Sequence, residues 1–197
     1  MSIENNPLVK PSPHKYGAVP FNEIKQEHFI PALEYAIKKA EKTLDEVKTN
    51  TDTATFENTA LPMETCSELM ETISLTYFNL MGAESDNDFK ELAQQISPKL
   101  SAFSNNVHLD SQLFAKVKYL YENIENDNLN EEQKRLVSES YNGFTLNGAL
   151  LNDTDKEKVR KFDEELSKLS PKFSQNTLNA TNAVSYTHLT LPTKRIV

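Results

Sequence analysis

Apolar side chains recur at helical spacing along most of this chain. In the stretch from Thr55 to Met81, apolar or small positions alternate in steps of three and four residues, which places them on one seam of an α-helix. These positions are Phe56, Thr59, Met63, Cys66, Met70, Ile73, Tyr77 and Leu80. Leu75 and Phe78 lie on the opposite side, so the second half is apolar nearly all round. We therefore predict one continuous central helix, buried on more than one face, around which the other helices pack.

One helix is predicted before this segment and one after it. The first begins near Gln26 and ends near Asn50, and Pro31 is tolerated because it falls in the first turn. The other follows Asp86, a predicted N-cap, and contains Pro98, at which we expect a kink.

Three further helices follow, each with a capping signal at its start. Asp110 caps a short helix, Asn130 and Gln133 form a predicted capping box, and Asp153 opens the last helix. In this last helix the seam predicted to pack inward is Val159, Phe162, Leu166, Leu169, Phe173 and Ala180. The pattern predicts an all-α fold of about six amphipathic helices in a bundle-like domain, over residues 26–183.

The two ends of the chain differ from this helical region. Residues 1–25 contain Pro7, Pro11, Pro13 and Pro20, which predict an extended N-terminal arm rather than a regular helix. Residues 184–197 contain no acidic side chain, and 186–191 have strand propensity where a helix was running. They also look like adapter-derived read-through sequence. We therefore predict that 184–197 is a non-native tail.

Composition narrows the class of protein. The chain has 197 residues with 38% hydrophobic and 25% charged side chains and only four glycines, which is typical of a globular helical domain. A net charge of −8 disfavours nucleic acid and anionic membrane surfaces as partners. The single cysteine excludes an internal disulfide, and no apolar run has the length of a signal peptide or membrane span. The predicted location is therefore cytoplasmic.

A search for catalytic motifs finds none. A hydrolytic zinc helix needs His-Glu-x-x-His, which places both imidazoles on one face. None of the four histidines is followed by Glu and no two lie four residues apart; they are His14, His28, His108 and His188. The inverted motif would need a histidine at position 24, which is Ile24. We predict no catalytic, cofactor-binding or metal-binding residue in this chain.

The remaining polar candidates have structural interpretations. Cys66 lies on the predicted central seam and is expected to be a buried, unreactive thiol. His28 is expected to be a packing or surface residue, and His108 to interact with a helix C-terminus. Asn58 and Thr59 could contact a ligand, but capping of the first turn is the simpler explanation.

Several separated segments, in order, resemble the N-terminal part of bacterial peptidyl-dipeptidases, in the thimet oligopeptidase family of zinc metallopeptidases. They are Asn6-Pro7-Leu8, Tyr16-Gly17-Ala18, Pro20-Phe21 with Ile24, His28-Phe29-Ile30-Pro31-Ala32, Thr55-Phe56-Glu57-Asn58-Thr59, Leu113-Phe114-Ala115-Lys116-Val117, Gly148-Ala149-Leu150-Leu151, Leu169-Ser170-Pro171-Lys172-Phe173 and Asn182-Ala183. The resemblance covers about residues 5–183 and stops after Ala183. This limit agrees with the predicted non-native tail.

The resemblance implies a longer parent enzyme. In such enzymes the helical N-terminal region forms one wall of a deep channel. A later region carries His-Glu-x-x-His and a further Glu as zinc ligands, and the motif Glu acts as general base on the zinc-bound water. None of those positions exists in this chain, so no catalytic residue is carried over.

We consider two hypotheses of different classes. The first is an N-terminal fragment of a cytoplasmic zinc peptidyl-dipeptidase, inactive alone and without metal. Its partners would be the missing C-terminal catalytic region and, in the intact enzyme, an oligopeptide that loses dipeptides from its C-terminus. The alternative is a stand-alone helical module that binds a partner through an apolar groove. The fragment hypothesis also predicts exposed apolar patches larger than the few hundred Å² usual for a monomer.

Overall fold

The structure, a computed structural model, describes residues 2–83, 86–125 and 128–190. Its helices are α1 (Phe29–Thr49), α2 (Leu61–Thr65), α3 (Glu68–Ala83), α4 (Asn87–Glu91), α5 (Ala93–His108), α6 (Ser111–Glu122), α7 (Glu131–Leu146) and α8 (Asp153–Thr190). No β-strand occurs within the described ranges. The predicted all-α class is confirmed, and six of these helices exceed two turns, as the pattern predicted.

Helix α1 contacts four of the other helices and contributes the longest buried stripe among the described residues. Its buried residues follow the helical period and form one continuous stripe: Phe29, Ala32, Leu33, Ala36, Ala40, Leu44 and Val47. The stripe faces α2, α3, α5 and α6. The small side chains in its middle allow close helix approach. The prediction that the segment from Thr55 to Met81 would be the central helix is wrong.

That segment is also not one helix. A π-type turn spans Phe56–Ala60, and α2 and α3 are separated at Cys66 and Ser67. The wide turn places Pro62, which has no N–H, near the start of α2. The Cys66 thiol donates to the Met63 carbonyl at 3.1 Å. In an uninterrupted helix that carbonyl would accept from the Ser67 N–H.

The prediction that α3 is buried on more than one face is met only in part within the described chain. Ile73 and Tyr77 are buried, and Phe78 is half-buried against the same core, but Leu75 is 63% exposed. The Tyr77 hydroxyl donates to the Phe89 carbonyl at 2.7 Å, and the two rings stack with centroids 5.0 Å apart. The most deeply buried face of α3 is therefore the one directed at α1 and α4.

Three predicted N-caps are confirmed as hydrogen bonds, whereas the first helix begins at Phe29 rather than near Gln26. Asp86 accepts from the Phe89 N–H at 2.8 Å, and Asp110 caps α6 by accepting from the Leu113 N–H at 3.0 Å. Asn130 and Gln133 form the capping box of α7. One detail differs: the helix after Asp86 is interrupted at Leu92, between α4 and α5, and Pro98 lies inside α5.

Helix α8 packs on α5 through polar groups rather than through its predicted seam. The buried Lys156 donates from Nζ to the Leu109 carbonyl, and Arg160 donates to Asn106 at 2.9 Å. The Asp163 carbonyl accepts from Ser101 at 3.3 Å. An α-helix turns by about 100° per residue, so the face of α8 that contacts α5 lies about 120° around the helix axis from the apolar seam. The inward packing predicted for the seam is therefore wrong.

Helix α8 also continues beyond position 183, so residues 184–190 are helical despite their strand propensity. Residues 191–197 lie outside the described ranges, and the non-native origin of the tail stays a prediction.

The N-terminal arm is folded into turns rather than extended throughout, with short 3₁₀ turns at Ile3–Asn5 and Lys15–Gly17. Buried Asn6 anchors it by donating from Nδ2 to the His28 carbonyl at 2.9 Å and accepting from the Leu8 N–H. The arm thereby covers the start of α1. Among the described helices, none is long and apolar enough to cross a membrane.

Candidate functional site

An apolar groove lies between the helices of the described region. It has a volume of about 580 Å³ and is open to solvent on one side. Residues of α1, α2, α3, α5, α6 and α7 line it, so it depends on the tertiary arrangement of six helices. Concave, mostly apolar surfaces are the usual form of ligand and peptide sites.

Burial separates the groove into three levels. Its base consists of buried core side chains, namely Leu44, Phe103, Val117, Leu120, Val137 and Phe144. Half-buried Met63, Cys66, Met70 and Leu136 line its sides, and exposed Glu64, Glu71 and Glu139 lie at its rim. The two methionines are unbranched and flexible, which suits a surface that adapts to different apolar groups.

Cys66 lies in the groove, but its environment opposes nucleophilic chemistry. Burial raises the pKa of the thiol, and the nearby Glu64 carboxylate raises it further. A cysteine nucleophile needs the opposite shift, toward the thiolate. The Sγ atom is also committed to the Met63 carbonyl. The predicted unreactive thiol is half-buried rather than fully buried.

His108 lines the same groove from the last turn of α5. Its Nδ1 lies 3.2 Å from the Ser104 hydroxyl oxygen and 3.0 Å from the Ser104 carbonyl oxygen. Its ring contacts Phe144 with centroids 5.3 Å apart. His108 thus folds back onto its own helix, as a helix-terminal structural residue would.

The other polar candidates lie elsewhere and have structural roles. His28 is 5% exposed and accepts through Nδ1 from the Lys25 N–H, so it is a packing residue. Asn58 accepts from the Thr55 N–H at 2.8 Å and from the Thr59 hydroxyl, which is the capping that the sequence predicted. Among the described residues, no group of three or more His, Cys, Asp or Glu side chains is placed to hold a metal ion.

A second surface feature is the exposed seam of α8. Phe162 is 66% exposed, Leu169 is 56% exposed and Phe173 is 73% exposed. Nearby, in and after α7, Leu146 is 87% exposed and Leu150 is 68% exposed. The large contiguous patch that the fragment hypothesis predicted stays a prediction. The sequence pattern identified the seam itself, but not its exposure.

Comparison with known proteins identifies the family. Residues 32–156 match the model of the Neurolysin/Thimet oligopeptidase N-terminal domain. The chain belongs to this family. The matched range extends from α1 to the start of α8, so it contains all six helices that line the groove.

Individual members of the thimet oligopeptidase family resemble the chain over nearly all of its length. The "Dipeptidyl carboxypeptidase" of Salmonella typhimurium is 28% identical over 181 residues, which is 92% of this chain and 27% of that protein. The protein of the same name from Escherichia coli is 29% identical over 175 residues, or 89% of this chain and 26% of that one. "Oligopeptidase A" of Haemophilus influenzae is 27% identical over 177 residues, or 90% and 25% respectively. The chain therefore spans about a quarter of the length of these relatives.

Proposed function

We propose that this chain is the N-terminal helical region of a zinc-dependent peptidyl-dipeptidase, which in intact form releases dipeptides from the C-terminus of oligopeptides. The observation that carries the proposal is the match to dipeptidyl carboxypeptidases over 92% of this chain but only 27% of the relative. In this proposal the zinc ligands, the general base and the metal itself belong to a C-terminal catalytic region beyond these residues.

The groove supports a wall-forming role for the chain. The groove has apolar sides and a rim of carboxylates, a surface suited to contact with a peptide or with another part of the polypeptide. Burial raises the pKa of its thiol, Cys66, so that thiol is not an activated nucleophile. We propose that the fragment alone hydrolyses no peptide. The remaining polypeptide would complete the channel, and the intact enzyme would act in the cytoplasm.

The gene from which the chain derives provides the sharpest test. Reading the DNA past codon 183 should reveal a continuing frame with a His-Glu-x-x-His motif. A stop codon at that point, in a native gene, would refute the fragment proposal.

An activity measurement on the purified chain provides the second test. The 197-residue chain, supplied with zinc, is incubated with an oligopeptide that has a free C-terminus, and products are separated by mass spectrometry. The Escherichia coli dipeptidyl carboxypeptidase serves as the positive control. We expect no dipeptide from the chain alone, and zinc-dependent dipeptide release would contradict its proposed inactivity.

The apolar groove also suits the second candidate, a stand-alone helical module that binds a partner through this groove. The same DNA reading separates the two candidates. A native stop near codon 183, together with a monomeric and cooperatively unfolding product, would favour the binding module.

A further inference from the structure

His28 is a buried titratable residue at the junction between the N-terminal arm and α1. It ends the 3₁₀ turn Gln26–His28, which leads directly into α1. Its ring Nδ1 accepts a hydrogen bond from the Lys25 N–H at 3.0 Å. A Glu or Gln side chain makes this bond in an ordinary capping box, so a histidine occupies the position of an acceptor that is normally a carboxylate or an amide.

The hydrogen bonds of the ring fix where its proton lies. Because Nδ1 accepts from an N–H, the neutral ring carries its proton on Nε2. The Nε2 atom is buried and has no hydrogen-bond partner among the described residues. A charged ring carries protons on both nitrogens, and the added Nδ1 proton would point at the Lys25 N–H. The turn therefore fits the neutral ring and loses this hydrogen bond when the ring is charged.

The backbone of the same residue holds the N-terminal arm. Asn6 is 4% exposed, donates from Nδ2 to the His28 carbonyl at 2.9 Å and accepts from the Leu8 N–H. Leu8 is buried in the core cluster that also contains Phe29. A rearrangement of the turn at His28 therefore displaces the carbonyl that Asn6 binds, and it weakens the packing of Leu8.

We propose that His28 is a pH-sensitive latch: protonation of its ring breaks the bond to the Lys25 N–H and releases the N-terminal arm from α1. Histidine is the side chain whose charge ordinarily changes between pH 5 and 8, so the latch is closed near pH 8 and opens toward pH 5. Acid favours the open arm, because the released ring can be charged while both of its nitrogens donate to water. These contacts lie within the chain, so the latch does not depend on the proposed function.

The charged groups around His28 do not replace the lost bond. Among the described carboxylates, Glu27 alone has an oxygen within 4.0 Å of a ring nitrogen, at 3.9 Å from Nε2. A contact between Glu27 and Nε2 leaves the two donors, Nδ1–H and the Lys25 N–H, facing each other. The elements around the turn carry further titratable groups: Glu4 and the Lys10–Glu23 ion pair in the arm, Tyr77 on α3, and Asp88 and Lys90 on α4.

Hydrogen–deuterium exchange of the full 197-residue chain, read by mass spectrometry from pH 8 to pH 5, tests the latch. Exchange rates are divided by the intrinsic rate at each pH. We expect the protection of residues 2–25 to fall at least about tenfold over this range, while that of α6 stays constant. His28→Gln supplies an acceptor that does not titrate, so its arm should stay protected at pH 5. The matched control, His14→Gln, changes an exposed histidine of the same arm and should keep the original pH dependence.

Nitrogen-15 NMR of the His28 ring gives a second readout that needs no variant, and it decides the question even if His28→Gln fails to fold. At pH 8 the proton should be on Nε2, and the ring should become charged over the pH range in which the arm loses protection. Arm protection that is equal at pH 8 and pH 5 would overturn the proposal. So would a folded His28→Gln chain that opens in acid as the original chain does, or a proton on Nδ1 at pH 8.

Discussion

Lys156 links α8 to the junction between α5 and α6 through two hydrogen bonds. Lys156→Met measures how much these bonds contribute to the free energy of unfolding. The residue is 7% exposed, and its Nζ donates to the Leu109 carbonyl and to the Ser111 hydroxyl, each at 3.0 Å. Leu109 follows the last turn of α5, where carbonyl groups lack helical partners and carry partial negative charge. Methionine keeps the unbranched apolar stem, so Lys156→Met removes the two hydrogen bonds with little change in packing.

The expected loss of stability is about 1–2 kcal/mol. Hydrogen bonds from a charged donor are each worth about 1.5–3 kcal/mol, and a buried carbonyl left without a donor costs about 1–3 kcal/mol. The substitution also removes the cost of burying the Lys156 ammonium group. That cost is several kcal/mol per buried ion, so its removal offsets part of the loss. Because the Ser111 hydroxyl is only partly buried and can turn to water, most of the net loss comes from the Leu109 carbonyl.

Urea denaturation followed by far-UV circular dichroism measures this difference. For a chain of this size, the expected loss lowers the melting temperature by roughly 2–8 °C. Lys158→Met is the matched control: Lys158 lies two residues further along α8, with a 63% exposed side chain in a surface ion pair with Asp155. Its loss should change stability by less than about 0.5 kcal/mol. Equal stabilities of the two variants would refute the role given to Lys156.

Three further changes test other parts of the structure. Tyr77→Phe should destabilise the chain by about 1 kcal/mol, since it removes the hydroxyl donor to the partly buried Phe89 carbonyl, as chemical denaturation would show. Burial raises the pKa of Tyr77 from 10.0 to about 12, so its contribution is complete below pH 10 and is lost as pH rises toward 12. Unfolding free energies across that pH range should fall less steeply in Tyr77→Phe, and equal slopes would contradict the assignment. Asn6→Ala should release the N-terminal arm from the His28 carbonyl, and faster trypsin cleavage within the first 25 residues, read by mass spectrometry, would show it. Gly148→Ala should cost about 1–3 kcal/mol, because φ is +97° and a Cβ atom would lie 2.9 Å from the Leu151 side chain; an unchanged melting temperature would show that the turn tolerates alanine.

The groove shows the limit of prediction for the candidate site. Met63, Cys66 and Met70 were identified as one apolar seam, but the pattern assigned them to the core rather than to the side of an open groove. Lys156 was missed entirely, because a lysine next to Asp155 and Glu157 has the sequence signature of an exposed residue.

The N-caps of α4, α6 and α7 were determined by the sequence alone, because a cap is a hydrogen bond between residues two or three positions apart. Asp86, Asp110 and the pair Asn130 and Gln133 therefore acted as predicted. Only the tertiary structure decided which face each helix buries. Periodicity shows that a helix has an apolar side but not which neighbour covers it. On α8 the contacts with α5 join residues more than 40 positions apart, and these polar contacts left the apolar seam in solvent.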